Sequence, residues 1–283
     1  MASKEHSYKR PAAVPKFYYG ATYYPEHWDA EVRESDVERM AEAGFNCVRM
    51  GEFAWDLMEP EEGEYHFELF DETLTRLAER GISAILGTPT ATPPRWLTFA
   101  HPEVVRVNAD GVRMQHGSRQ HVCPSSDVFR LYSRRITRAM AEHFKDTPHV
   151  VGWQTDNELN CHFSECHCES CQSAFQTFLR AKYDDDMDAL NETWGNRFWA
   201  LTYRDFAEIP TPKNGKPAPA NPAHLLDYYR FISWNITRFQ HEQVAILRGV
   251  NPEWFVTHNG TFAHIDYRGP FGKDLDFLAY DVY

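Results

Sequence analysis

VVGWQTDNE (Val150–Glu158) runs apolar from Val150 through Trp153 and turns polar from Gln154 to Glu158. Such a segment reads as a strand covered on both faces, as in a parallel sheet, with its chemistry gathered at the C-terminal end. Working outward, FYYGATYY (Phe17–Tyr24), FNCVRMG (Phe45–Gly51) and ISAILGTP (Ile82–Pro89) are earlier strand candidates of the same kind. Between them, Ala30–Ala43 and Leu69–Arg80 carry apolar residues at helical spacing and stop at Gly44 and Gly81, and Val128–Phe144 repeats that pattern before Val150. Ser170–Tyr183 and Leu225–Leu247 read as further helices, separated by the Pro- and Lys-containing loop 209–222. WFVTHNG (Trp254–Gly260) and LDFLAYDVY (Leu275–Tyr283) make the predicted strand count six. Alternating β and α units call for a parallel sheet with helical crossovers, either a barrel or a doubly wound sheet. No glycine-rich phosphate loop follows the first strand, which removes the main support for the dinucleotide-binding form and favours an incomplete (β/α)8 TIM barrel, six strands of eight.

The chain has 283 residues, 29 Lys and Arg against 41 Asp and Glu, and a formal net charge of -12. A length near 250 residues suits one barrel domain. The reading is therefore a tail over 1–16 and one catalytic barrel domain over 17–283, truncated before strands seven and eight. The acidic balance opposes a nucleic-acid partner, because polyphosphate binding needs a cationic face. No apolar run reaches the roughly 20 residues of a membrane span, and MASKEHSYKRPAAVPKF (1–17) lacks the apolar core of a secretory signal, so the expected location is cytoplasmic. Four of the six cysteines, Cys161, Cys166, Cys168 and Cys171, fall within eleven residues, which points to metal before a disulfide framework.

In a barrel, the strand ends Tyr23–Trp28, Met50–Trp55, Gly87–Thr92 and Asp156–Asn160 share the C-terminal mouth, where such folds place their active sites. Glu158 at that mouth has the placement of a general acid, since partial burial favours a carboxyl's protonated form, and the neighbouring Asn157 amide can hold a substrate hydroxyl. Glu26, Glu52, Trp55 and Asp281 also fall at strand ends, where spacing does not separate a supporting carboxylate from a helix cap. Trp28, Trp55, Trp96, Trp153 and Tyr280 could stack on a sugar ring, yet for any single one core packing is the better reading.

Several long segments, in order, resemble glycoside hydrolase family 42, the barrel β-galactosidases: YYGATYYPEHW (Tyr18–Trp28), NCVRMGEFAWDLMEPEEGEYHF (Asn46–Phe67), TPTATPPRWL (Thr88–Leu97), SRQHVCPSS (Ser118–Ser126), VVGWQTDNEL (Val150–Leu159) and the cysteine cluster. The resemblance implies a retaining glycoside hydrolase that removes terminal non-reducing β-D-galactose. Glu158 would protonate the glycosidic oxygen and later activate water, Asn157 would hold a sugar hydroxyl, and Arg119 would bind the galactose. Retention requires a second carboxylate about 5–5.5 Å from the first. The family takes it from the seventh strand, and no glutamate follows Glu253, which precedes the fifth predicted strand at the wrong end of the barrel. The nucleophile is expected outside this chain, and the chain is expected to be inactive alone. The resemblance also implies a homotrimeric parent enzyme.

Cys166, Cys168 and Cys171 form C-x-C-x2-C, and with Cys123 on another loop at the mouth they can close a tetrahedral, structural Zn²⁺ site with no open position. The resemblance implies zinc at these four positions. Cys47 reads as a buried thiol, Cys161 as the odd one out, and His162 and His167 as spare. Three other readings compete: a zinc-stabilised module binding sugar or nucleic acid, a zinc hydrolase with three protein ligands and water, and a related barrel glycosidase acting on arabinosides or fucosides.

Overall fold

The computed structural model describes residues 14, 17–117, 119–213, 221–260 and 262–281. The predicted tail, save residue 14, lies outside the described residues, as do 214–220 of the predicted loop and residues 282 and 283 of the sixth predicted strand. Six parallel strands, β1 (Gly20–Thr22), β2 (Cys47–Met50), β3 (Ser83–Gly87), β4 (Val150–Gln154), β5 (Phe255–Asn259) and β6 (Phe277–Ala279), lie side by side in sequence order. This is an incomplete (β/α)8 barrel, as the alternation of apolar runs and helical spacing requires. The inner strands β2 to β5 are almost wholly buried, whereas β1 and β6, at the two sheet edges, are largely exposed.

The helices are α1 (Ala30–Glu42), α2 (Trp55–Met58), α3 (Glu68–Glu79), α4 (Arg95–Ala100), α5 (Asp127–Phe144), α6 (Glu169–Lys182), α7 (Met187–Trp194), α8 (Pro222–Val250) and α9 (Pro270–Lys273). Their ends follow local chemistry. The Asp29 side chain accepts from the Val32 N–H and Ser126 from the Phe129 N–H, capping α1 and α5, while Gly44 and Gly81 take the left-handed backbone that ends α1 and α3. The short α7, absent from the sequence reading, is capped by Asp186 and closed by left-handed Gly195. No described helix is long and apolar enough to cross a membrane.

Val48, Met50, Leu86, Trp153 and Val256 of the sheet pack with Phe70, Leu77, Phe129, Met140, Phe239 and Leu247 of the helices in one core. Gly152 is required by close strand packing: a Cβ there would sit 2.5 Å from the Phe255 ring. Because the strands are parallel, all six C-terminal ends open at one mouth, and every candidate catalytic residue stands there or on the loops beyond it.

Candidate active site

The strand carrying the predicted acid ends at Gln154, four residues before Glu158. The chain leaves it in a contorted loop in which Asp156, Glu158 and Asn160 all have left-handed backbone, with φ of 51°, 48° and 72°. Non-glycine residues hold such conformations at a cost of about 1–3 kcal/mol each, and they persist where the surroundings over-determine them. Here the surroundings do so. The Asp156 N–H donates to Thr88 Oγ1 at 2.6 Å, the Glu158 N–H to Asn259 Oδ1 at 3.0 Å, and the Leu159 N–H to His258 Nε2 at 3.2 Å. Gln120 Nε2 donates to the Asn157 and Glu158 carbonyls at 2.6 and 2.5 Å, and Gln154 Nε2 to the Asp156 carbonyl at 3.0 Å.

Glu158 is 6% exposed at the mouth, and Arg119 Nη1 lies 3.2 Å from its Oε2. Arg119 and Glu158, 39 positions apart in the chain, are thus an ion pair, and the guanidinium also lies over the Phe53 ring. The Asn157 amide is oriented by two donors to its Oδ1, Gln154 Nε2 at 3.3 Å and Asn259 Nδ2 at 3.1 Å. Its Nδ2 then remains a donor for a bound hydroxyl. The structure therefore brings Asn157, Glu158 and Arg119 together.

Two buried groups with displaced pKa support this loop. Burial pushes the Asp156 carboxyl up to about 6, against the opposing effect of the hydrogen bonds it accepts from Thr90 Oγ1 at 2.5 Å and the Asn157 N–H at 2.7 Å. His258 is held down to about 4 by burial. Its Nδ1–H faces the Thr155 carbonyl at 2.8 Å while Nε2 accepts from Leu159, so the neutral ring uses both nitrogens. Beneath them, wholly buried Glu52 accepts from Arg49 Nε at 3.0 Å and Tyr24 Oη at 3.1 Å, and Arg49 Nη1 donates to Gln154 Oε1 at 2.7 Å. Glu52 supports the site from the turn after β2. Of the mouth aromatics, Trp55 and Trp153 are fully buried in the core, while Trp28 and Tyr280 are exposed.

Gln120, His258 and Asn259 were missed from sequence. The signal that could have found them is the one that marked Glu158, polar residues at the C-terminal end of an apolar strand or on a loop at the same mouth.

The sulfurs of Cys123, Cys166, Cys168 and Cys171 all lie within 4.8 Å of one another, with Cys123 Sγ 3.3 Å from Cys171 Sγ and 3.5 Å from Cys168 Sγ. These separations exceed the roughly 2.05 Å of a disulfide, so these sulfurs are not joined to one another. All four are buried, and sulfur neighbours pull the Cys168 thiol far below its ordinary range. His167, stacked on Tyr228 and bonded through Nε2 to Glu165, is engaged elsewhere. Four converging soft donors on the Cys123 loop and the start of α6 are the donor set of a closed thiolate metal centre.

Residues 22–283 match the glycoside hydrolase 42 family profile, described as beta-galactosidase. The chain belongs to glycoside hydrolase family 42. A beta-galactosidase of Thermus thermophilus is 47% identical over 267 residues, covering 93% of this chain and 41% of that protein. A solved structure, the polyextremophilic beta-galactosidase of the Antarctic haloarchaeon Halorubrum lacusprofundi, superimposes with a TM-score of 0.90 at 43% identity, covering 93% of this chain and 40% of that one. The chain thus spans about two fifths of the length of these relatives. The catalytic domain of a Paenibacillus polymyxa beta-amylase, 13% identical with a TM-score of 0.71, shares the fold alone.

Proposed function

We propose that this chain supplies the acid/base half of a retaining β-galactosidase site. The observation that carries the reading is Glu158, buried at the barrel mouth on a strained, heavily bonded loop with Asn157 and Arg119 beside it. In the first step Glu158, protonated, gives its proton to the glycosidic oxygen as the bond to the anomeric carbon breaks. In the second, as carboxylate, it takes a proton from water. Asn157 Nδ2 holds a sugar hydroxyl next to the reacting carbon, and Arg119 holds the galactose ring and orients the carboxylate. No glutamate follows Glu253, an exposed residue before β5 at the opposite end of the sheet, so β5, β6 and the segments after them supply no glutamate to face Glu158 as nucleophile.

Cys123, Cys166, Cys168 and Cys171 would hold a zinc ion. Four thiolates leave no open position, so the ion's chemistry would be structural, tying the Cys123 loop to the start of α6. The buried thiol set supports this reading and disfavours a zinc hydrolase, which needs a position for water.

The test is turnover of a nitrophenyl β-galactoside by this chain and by a chimera joining residues 17–281 to the remainder of the T. thermophilus relative. The chain alone is expected to show none. In a folded, active chimera, Glu158→Ala should lower the rate by roughly 10²–10⁴-fold, the range for a general acid, with azide partly restoring turnover of substrates with good leaving groups. Robust turnover by the chain alone, or an undiminished Glu158→Ala rate, would overturn the assignment. Nitrophenyl arabinosides and fucosides in the same assay decide the substrate.

A further inference from the structure

The four-thiol cluster leaves out Cys161, and the loop geometry gives that residue different neighbours. After Glu158 the chain turns tightly, with the Cys161 N–H donating to the Glu158 carbonyl at 3.0 Å across left-handed Asn160. The His162 N–H is tied to Gln120 Oε1 at 3.2 Å. The turn folds three side chains back onto one point. A Glu158 carboxylate oxygen, Cys161 Sγ and a His162 ring nitrogen all lie within 4.8 Å of one another.

Oxygen, sulfur and nitrogen donors, one each, are the ligand types that zinc-like ions take in sites with three protein ligands and one open position. The cluster is also reachable, because Cys161 is partly and His162 largely exposed whereas Glu158 is buried beneath them. We propose that Glu158, Cys161 and His162 form a second, exchangeable site for a thiophilic divalent cation such as Zn²⁺ or Cd²⁺, and that its occupancy blocks the active site.

The cation takes the place of the Cys161 thiol proton; that proton leaves to solvent and the imidazole binds as the neutral ring. The Glu158 and Cys161 charges offset the ion, with the Arg119 guanidinium at 3.2 Å opposing it. With one thiolate against four, this site is weaker than the Cys123 cluster, so it loads last and empties first. Its binding rests on the donor geometry alone, while its inhibitory effect rests on the reading of Glu158 as the acid.

The experiment is a Cd²⁺ titration of the full 283-residue chain, already loaded at its four-thiol cluster, followed by cadmium–thiolate absorbance and calorimetry. Wild type is expected to take up one further equivalent. Cys161→Ser should abolish the added thiolate absorbance, and His162→Gln should weaken uptake by about tenfold or more, on the scale seen when metal-site groups are removed. Identical titrations for wild type and both variants would overturn the site. Both residues lie outside the core, and circular dichroism checks that each variant is folded. In the chimera, Cd²⁺ should inhibit turnover reversibly, with chelator restoring it and Cys161→Ser relieving it relative to that variant's own metal-free rate. Uptake that depends on Cys161 without inhibition is resolved by titrating Glu158→Gln in the same way: weakened uptake upholds the site and refutes the acid role of Glu158, and unchanged uptake overturns the site as proposed.

Discussion

Asp156→Asn tests whether the loop bearing Glu158 is held by a carboxyl that resists ionisation. Asp156 is 2% exposed, and burial raises its pKa from 3.8 to about 6. In the unfolded chain it titrates near its ordinary value. Between about pH 4 and pH 6 the folded chain therefore keeps a proton that the unfolded chain has released, and stability falls as pH rises through that window. The penalty is absent below the lower value and fully present above the upper one. A displacement of about two units at about 1.4 kcal/mol each amounts to about 3 kcal/mol. Buried His258 and His121, both held down to about 4, act in the opposite sense, because each destabilises the fold as pH falls from 6.5. The wild-type curve superimposes these trends, and the difference between wild type and Asp156→Asn isolates the carboxyl. Asparagine keeps the shape: Oδ1 still accepts from the Asn157 N–H, and the Thr90 hydroxyl can reverse to accept from Nδ2. Urea unfolding from about pH 4.5 to 7.5 should show Asp156→Asn gaining about 2 kcal/mol on wild type across the range, the part of the penalty that develops above pH 4.5, or about 0.7 M in midpoint for a slope near 3 kcal/mol/M. Parallel stability curves would show that Asp156 ionises as it does in water and that burial does not control it.

Three further outcomes follow from named contacts. Asn259→Ala removes the acceptor of the buried Glu158 N–H and the donor to Asn157 Oδ1, so it should cost about 1–3 kcal/mol in urea unfolding and raise amide exchange in loop 155–162. Gly152→Ala places a methyl 2.5 Å from the Phe255 ring, itself 1% exposed, and should lower stability by about 1–3 kcal/mol through overpacking between β4 and β5. Metal analysis of chain purified without chelators should find about one zinc per chain, lost on Cys168→Ser, and metal-free wild type would refute the four-thiolate centre.

The alternation of apolar runs with helical spacing made the six parallel strands legible, because side-chain periodicity is set by the local backbone and needs no distant partner. Strand ends were less legible. β1 has three residues where eight were predicted, because Phe17 and Tyr19 before it are apolar yet exposed at a sheet edge, where apolar character does not mark burial. The reading that ran β4 through to Glu158 overshot, since apolar content gives no sign of the three left-handed residues beyond Gln154.

From its sequence alone this protein is committed to a parallel βα architecture with polar strand ends, a carboxylic acid at the end of the fourth strand and a thiol cluster spaced for metal, all of which are patterns within a few tens of residues. The tertiary structure decided what those groups meet. It sets Arg119 against Glu158 and Cys123 among the later thiols, and it places His258 and Asn259, about a hundred positions onward, beneath the acid's loop. Those meetings arise because parallel strands bring their C-terminal ends to one mouth whatever their separation in the chain. It also turned Cys161 and His162, which had no role in the linear pattern, toward Glu158, through a backbone turn that is held by side chains from neighbouring strands and loops.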